Sequence, residues 1–380
     1  MLEYPLHPEF SEVFPMVLLL FFALGFFIQM FYVWFYFSRL SFYKPGERSS
    51  TEQPVSIVVC ARNEYENLRT NLPHWLDQDY PEFELIVVND SSDDNTEELL
   101  KDYKKRYGNL KVFDLKQNLN FFKGKKFPLS LGIKSASYDI VLLTDADCTP
   151  ASNQWVRRMQ SGFVEGKDIV LGYGAYEKRP GFLNRFIRFD AFHVAIQYLS
   201  LALAGKAYMG VGRNLSYRKS LFFGQKGFSS HYKVHSGDDD LFVNSVATKT
   251  NTQIEISKAS QTISAAKRSF SGWFNQKRRH FTTGRHYSKK SRSTLMWYGL
   301  SKVLFYSFAV VLIIMTYNLL VILAALFLYL VSLMIIFRKA AIKLDEADLS
   351  LVSPLLDLFM TFINPLIYFS TLIAKPEKWK

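Results

Sequence analysis

Residues 55–64 read VSIVVCARNE: seven uncharged residues, mostly apolar and β-branched, then an abrupt change to Arg62, Asn63 and Glu64. A run this short, apolar and rich in Val and Ile predicts a strand buried on both faces. The pattern recurs downstream. The stretch 85–88 (LIVV) runs into Asn89, Asp90, Ser91, Ser92, Asp93 and Asp94, 112–115 (VFDL) follows, and 140–143 (IVLL) runs into Thr144, Asp145, Ala146 and Asp147. Between these runs, 64–78, 96–107 and 125–137 carry a helical period. Alternation of this kind predicts an α/β fold with a doubly wound, Rossmann-like core and a parallel sheet. Ligands of such sheets bind beyond the carboxyl ends of the strands. Any one acidic cluster there reads as a helix cap, but three on one edge predict a site.

The rest of the 380 residues frame that core. Lys and Arg number 46 against 34 Asp and Glu, a net charge of +12, and 49% of residues are hydrophobic against 21% charged. The apolar residues concentrate at the two ends, which excludes a disordered chain and predicts a membrane-tethered polar domain. The only cysteines, Cys60 and Cys148, lie in the polar middle and suit a reducing compartment rather than a disulfide framework. Basic residues crowd into 267–292 beside a predicted span, so membrane phosphates explain them better than nucleic acid. His193, His231, His235 and His286 lack metal spacing with the cysteines, and no zinc site is expected.

The stretch 16–37 holds no charge, follows Glu3, Glu9 and Glu12, and precedes Arg39, Lys44 and Arg48. It reads as an uncleaved anchor over 14–38, with residues 1–13 outside and a cytoplasmic domain over 50–290. The uncharged run 303–337 is too long for one span and predicts a hairpin over 297–338 turning near Thr316, Tyr317 and Asn318. A third C-terminal segment, 349–374, contains Asp357, Pro354 and Pro365 and reads as a kinked span or a re-entrant or interfacial segment, the plainest reading of Asp357 being a residue packed inside the bundle. Full crossing would place Lys375, Lys378 and Lys380 outside, against the positive-inside tendency. An integral protein of the bacterial inner membrane is expected.

The sequence lacks G-x-G-x-x-G after its first strand and lacks a P-loop, which argues against a dinucleotide oxidoreductase or a P-loop NTPase. Asp145-Ala146-Asp147 places two carboxylates on one side of an extended segment, where they suit Mg²⁺ or Mn²⁺. Lys123, Gly124, Lys125 and Lys126 lie just upstream and offer donors to a diphosphate, although a lysine cluster is commonly a solvated face. Metal and diphosphate together point to a nucleotide-activated substrate.

These residues resemble glycosyltransferase family 2 in its membrane-bound, inverting form, over about residues 54–284. VSIVVCARNE looks like the family's first strand and donor loop, and VVNDSSD (87–93) like its second. The resemblance implies donor contacts by Ala61, Asn63, Glu64, Asp90, Lys125 and Asp145, and a DxD motif at Asp145 and Asp147 with Asp147 the surest metal ligand. GDDDL (237–241) looks like the element whose second acid is the catalytic base, here Asp239, with Asp238 the neighbouring register. QKRRH (276–280) is similar to the QxxRW motif, with His280 in place of tryptophan and Gln276 and Arg279 in register for the diphosphate or acceptor. GVGRN (210–214) looks like the acceptor loop and implies roles for Gly212 and Asn214. Residues 181–205 carry Phe182, Phe186 and Phe189 at helical spacing and read as an interfacial amphipathic helix or, nearly as well, a core helix.

The expected activity is metal-dependent transfer of a sugar from a nucleotide sugar, by default a UDP-sugar, to a membrane-associated glycan or lipid-linked acceptor. Membrane lipids, and a partner subunit or dimer, are further expected contacts. Few predicted spans favour single or short additions over polymer export. A polyprenyl-phosphate sugar synthase is the alternative within the fold, against which the QxxRW-like element argues. A non-catalytic membrane protein with a nucleotide-binding domain is the alternative outside it.

Overall fold

The structure is a computed structural model and describes residues 8–116, 124–232, 234 and 236–373. Lys123, His235 and the lysines after residue 373 lie outside the described residues. Helix α1 (Pro8–Phe31) continues through a π-helical stretch, Tyr32–Phe37, into the short α2 (Ser38–Ser41). The polar domain then alternates as its hydrophobic pattern demands: β1 (Val55–Ala61), α3 (Tyr65–Leu76), β2 (Phe83–Asp90), α4 (Thr96–Arg106), β3 (Leu110–Leu115), α5 (Lys126–Ser135) and β4 (Ile140–Asp145). These four strands are parallel and stand in the order β3-β2-β1-β4, so the winding reverses between β1 and β4. The carboxyl ends of those two strands flank the crevice where such folds bind ligands.

Alternate residues of β1 explain why it carries no charge. Val55, Ile57 and Val59 face Leu68, Leu72 and Trp75 of α3, whereas Val58 and Cys60 face Leu129 and Ile133 of α5. Both faces are covered by helices, so both must be apolar.

The sheet is mixed rather than wholly parallel. After β5 (Cys148–Pro150) and α6 (Trp155–Gln160) come β6 (Ile169–Gly172), β7 (Gly174–Tyr176), α7 (Phe182–Leu203), β8 (Leu215–Arg218), α8 (Lys219–Gly224), α9 (Asp240–Val246), β9 (Thr252–Glu255) and β10 (Thr262–Ser264). Strand β8 inserts antiparallel between β4 and β6, and β9 extends the edge, giving seven strands. β5, β10 and β7 form a second, three-stranded sheet.

Helix α10 (Phe270–Gly284) leads to α11 (Lys289–Ile314) and α12 (Leu319–Lys343), which meet at a tight turn where Thr316 and Asn318 have positive φ. Counting the helix from Val13 to Ser41, α7, α11, α12 and α13 (Ser353–Ile373), five helices among the described residues are long and apolar enough to cross a membrane. α1 packs closely along α11. A side chain at Gly25 would meet the backbone of Ser301 and Phe305 at 2.9 Å, and the Gln29 amide donates to the Tyr298 carbonyl (2.9 Å) and to Ser301 Oγ (2.8 Å).

α7 is a core helix rather than an interfacial one. Phe186, Phe189, Phe192 and Leu199 are fully buried, and the helix touches β7 and β9 as well as the π-helical stretch and α13. One hydrophobic cluster therefore runs from the sheet through α7 into the apolar helices. Arg188 of α7 fastens this junction: its guanidinium binds Glu346 and Asp348, in the link between α12 and α13, and the Tyr173 hydroxyl donates to Glu346 at 3.1 Å. α13 is a continuous helix through Pro365. It turns Leu355, Phe362, Leu366 and Ile373 outward and Leu356, Met360, Thr361 and Ile367 inward. Asp357 is fully buried and paired with Lys302, with the His193 ring 3.5 Å away.

Candidate active site

β1 and β2 end in interlocked loops. Asn63 and Ser91 both take positive φ. The Asn63 carboxamide oxygen accepts from Asp93 N (2.7 Å), Asn63 N donates to Ser92 Oγ (2.9 Å), and Asp94 accepts from Tyr65 N and Thr96 N, both at 3.1 Å. Ser92, Asp93 and Asp94 thus hold the loops in shape and leave Asn63 and Glu64 on the wall of a cavity of about 2010 Å³. Burial raises the Glu64 carboxyl above its ordinary range, with Asp147 and Asp145 adding to the effect against the Asn67 hydrogen bond.

At the end of β4, Asp145 and Asp147 flank the tight turn into β5. Their carboxylates and the Cys148 thiol place ligand atoms within 4.8 Å of one another. Lys125 pairs with Asp145 and, against the cost of burial, holds that carboxyl below its usual range. Asp147 is shifted upward by burial and by Asp145. Burial also keeps the Cys148 thiol protonated, so the cluster offers hard oxygen donors rather than a thiolate. A hard divalent cation fits that donor set.

Asp239 caps α9. Its Oδ1 accepts from Asp240 N and its Oδ2 from Gly212 N, each at 2.7 Å. Burial, then the neighbouring Asp238 and Asp240, raise its pKa to about 8. Asp240 is engaged elsewhere, accepting from Leu241 N (2.7 Å), Tyr287 OH (2.8 Å) and Thr283 Oγ1 (2.5 Å). Of the three adjacent acids, Asp238 and Asp239 remain for chemistry in the cavity, and Asp240 ties α9 to α10.

α10 brings the third group of residues. Asp190 of α7 accepts from Trp273 Nε1 (3.0 Å) and pairs with Lys277. With the helix fixed in that rotation, Gln276, Arg279 and His280 line the cavity, and the Gln276 amide reaches the Tyr176 hydroxyl at 3.4 Å. Burial, then Arg279 and Lys277, hold the His280 ring neutral.

Four expected site residues sit elsewhere. Asn214 is fully buried, accepting from Trp155 Nε1 (3.0 Å) and donating to the carbonyls of Tyr173 (2.9 Å) and Ser260 (2.8 Å). With every polar group used, it fixes the loop instead of contacting an acceptor. Ala61 is the buried last residue of β1, and only its neighbours face the cavity. Asp90 ends β2 outside the cavity lining, its carboxyl raised by burial against the pull of Arg62. Lys126 also turns away, donating to the carbonyls of His231 (2.7 Å) and Val234 (2.8 Å). The sequence reading missed Arg213, which lines the cavity, lies over the Tyr176 ring at 4.3 Å and donates to Gly174 O. It missed Asp190 too, the one acidic residue of α7.

Residues 56–223 match the model of Glycosyl transferase family 2. The matched stretch runs from β1 into α8. Among curated proteins, the chain is 41% identical over 93 residues to a poly-beta-1,6-N-acetyl-D-glucosamine synthase of Staphylococcus epidermidis, an alignment covering 24% of this chain and 21% of that protein. It is 37% identical over 120 residues to the enzyme of the same name from Staphylococcus aureus strain COL, covering 30% and 28%. The matched part is therefore under a third of either relative. Among solved structures, a mannosyltransferase from Pyrobaculum calidifontis, in complex with GDP-Man and Mn²⁺, aligns with a TM-score of 0.58 at 17% identity over 90% of this chain and 99% of that one. That likeness establishes the fold, a GT-A-like mixed sheet with apolar helices flanking it.

Proposed function

We propose that the chain is an inverting, metal-dependent glycosyltransferase that moves a sugar from a nucleotide sugar to a membrane-associated acceptor at the cytoplasmic face of a bacterial inner membrane. The observation that carries this reading is one cavity lined by Asp145, paired with Lys125, and Asp147, by Asp238 and Asp239, and by Gln276, Arg279 and His280. Asn63 and Glu64 would border the nucleoside. Asp147 and Asp145 would hold Mg²⁺ or Mn²⁺, which supplies charge to the departing diphosphate.

In the transfer, the acceptor oxygen forms a bond to the sugar's anomeric carbon as that carbon's bond to the diphosphate breaks, and the electron pair leaves with the phosphate oxygen. The acceptor proton passes to Asp239, whose raised pKa makes it an adequate base near neutral pH. Arg279 and Lys125 stand where a leaving anion needs cations, and a neutral His280 can donate a hydrogen bond to it. The relatives' name makes UDP-N-acetylglucosamine the first donor to try.

The test is nucleotide release from membranes carrying the chain, across UDP- and GDP-sugars with and without Mn²⁺. Donor- and metal-dependent release, sharply reduced in Asp147→Asn at the Mn²⁺ concentration that just saturates wild type and abolished by Asp239→Asn, is the expected result. Absence of release from every donor, with native lipids supplied, would refute it.

A further inference from the structure

The cavity does not stop at the sugar chemistry. Its 2010 Å³ exceed the roughly 300–1,000 Å³ of an ordinary small-molecule site. Its wall continues along α11 from Lys289 to Val303, about 21 Å at 1.5 Å per residue. Across from it stands the inward face of α13. At the seam between these helices, Met296 and Leu300 of α11 and Tyr368 and Phe369 of α13 line the cavity and are also 55%, 43%, 40% and 58% exposed. Large apolar side chains that bound a cavity and remain open on an apolar helical surface mark a passage to the bilayer.

Charge is placed to match. Arg279, Arg285 and Arg292 line the cavity between the acids and the apolar seam, and none has an acidic partner among the described residues. The deeper cation is already engaged: Lys302 pairs with Asp357 and reaches the Tyr298 hydroxyl (3.1 Å), which meets His193 Nε2 (2.9 Å). With Arg279 on the departing diphosphate, Arg285 and Arg292 are among the cations left for an incoming anion, as are Lys267 and Lys289.

We infer that the acceptor is a phosphate-bearing lipid that enters this cavity sideways from the bilayer through the seam between α11 and α13. Its hydrocarbon lies against Met296, Leu300 and Phe369, its phosphate meets Arg285 and Arg292, and its hydroxyl-bearing head extends toward Asp239. The inference rests on the transferase reading and adds the acceptor's class and route.

Gly299 provides the test. It lines the cavity, and a Cβ built there meets no atom within 4 Å, so a large side chain would occupy the passage without disturbing the fold. Full-length protein in phosphatidylcholine vesicles is photolabelled with a diazirine-bearing dodecyl phosphate. The expected result is saturable labelling within residues 296–303 and 360–369. Labelling falls about tenfold in Gly299→Trp, the effect of excluding two methylenes from an apolar contact, and is retained in Gly299→Ala. A diazirine dodecanol labels weakly, and inorganic phosphate competes far less well than unlabelled dodecyl phosphate.

Equal labelling of Gly299→Trp and wild type would overturn the inference. So would equal labelling by the uncharged alcohol, labelling spread over the outer faces of α1 and α12, or competition by inorganic phosphate as strong as by the lipid. Donor-dependent nucleotide release into water is measured on the same preparations. Its absence from wild type would refute the transferase reading while leaving the labelling map to be judged separately.

Discussion

Asp239→Asn separates chemistry from stability because the two respond in opposite directions. The carboxylate accepts from Gly212 N and Asp240 N, each at 2.7 Å. An amide keeps one acceptor and turns its NH₂ toward the other N–H, a loss of about 1–2 kcal/mol. Against this stands the burden of the carboxyl itself, whose pKa rises from 3.8 to about 8 through burial, Asp238 and Asp240. A carboxyl with a raised folded-state pKa costs stability that grows as pH climbs above the unfolded value near 4 and is complete above about 8. At pH 7 this amounts to roughly 4 kcal/mol. Asp239 is partly open to the cavity, and solvent screening reduces the figure to about 2 kcal/mol.

The variant is therefore expected to be as stable as wild type at pH 5 and more stable at pH 8, by a few degrees in a detergent thermal-shift measurement. Transfer should fall about 10²- to 10⁴-fold at every pH, as befits loss of a general base. Retention of more than a tenth of wild-type turnover, or a melting temperature several degrees lower at pH 8, would refute the reasoning.

Other variants probe the supports of the site. Arg188→Met strands Glu346, a carboxylate 1% exposed, and should cost about 3–5 kcal/mol in a melting experiment, largely recovered by adding Glu346→Gln. Asp348→Asn, whose side chain is 46% exposed, should cost under about 1 kcal/mol. Asp147→Asn should raise the Mn²⁺ concentration for half-maximal nucleotide release by about tenfold or more while leaving the melting temperature of the metal-free protein unchanged. Gly212→Ala would put a Cβ 3.3 Å from Asp239 Oδ2, and turnover should drop at nearly constant donor KM as the carboxylate is displaced. Asp190→Ala releases Trp273 and Lys277 of α10, so kcat should fall with donor affinity preserved, a split read from initial rates.

Much of this domain was legible before any coordinates because its signals are local. Uninterrupted β-branched runs announced β1, β2 and β4, and the polar residues just after them marked the sheet edge where Glu64, Asp145 and Asp147 gather. The hairpin was equally plain, since Thr316, Tyr317 and Asn318 interrupt an otherwise uncharged run. What escaped was non-local. β8 (LSYR) is four residues long with two polar ones, too short for a period, and its antiparallel insertion is decided by pairing with β4 and β6. Asn214 sits in a glycine-rich motif, yet its role follows from Trp155, Tyr173 and Ser260, distant in sequence. Asp357 was visible as an oddity, but its partner Lys302 stands one residue before a run read as uncharged, and only the approach of α13 to α11 joins them.

The fastening of Arg188 to Glu346 also sets a clock. The two residues are 158 positions apart in the chain. At roughly 5–20 residues per second, the ribosome delivers Glu346 about 10–30 seconds after Arg188. Throughout that interval the nascent domain holds a cation and an aromatic helix whose final cover has not been synthesised. A polypeptide released before residue 346 would carry the complete sheet and every acid of the cavity, yet should be a target for proteases and holding chaperones.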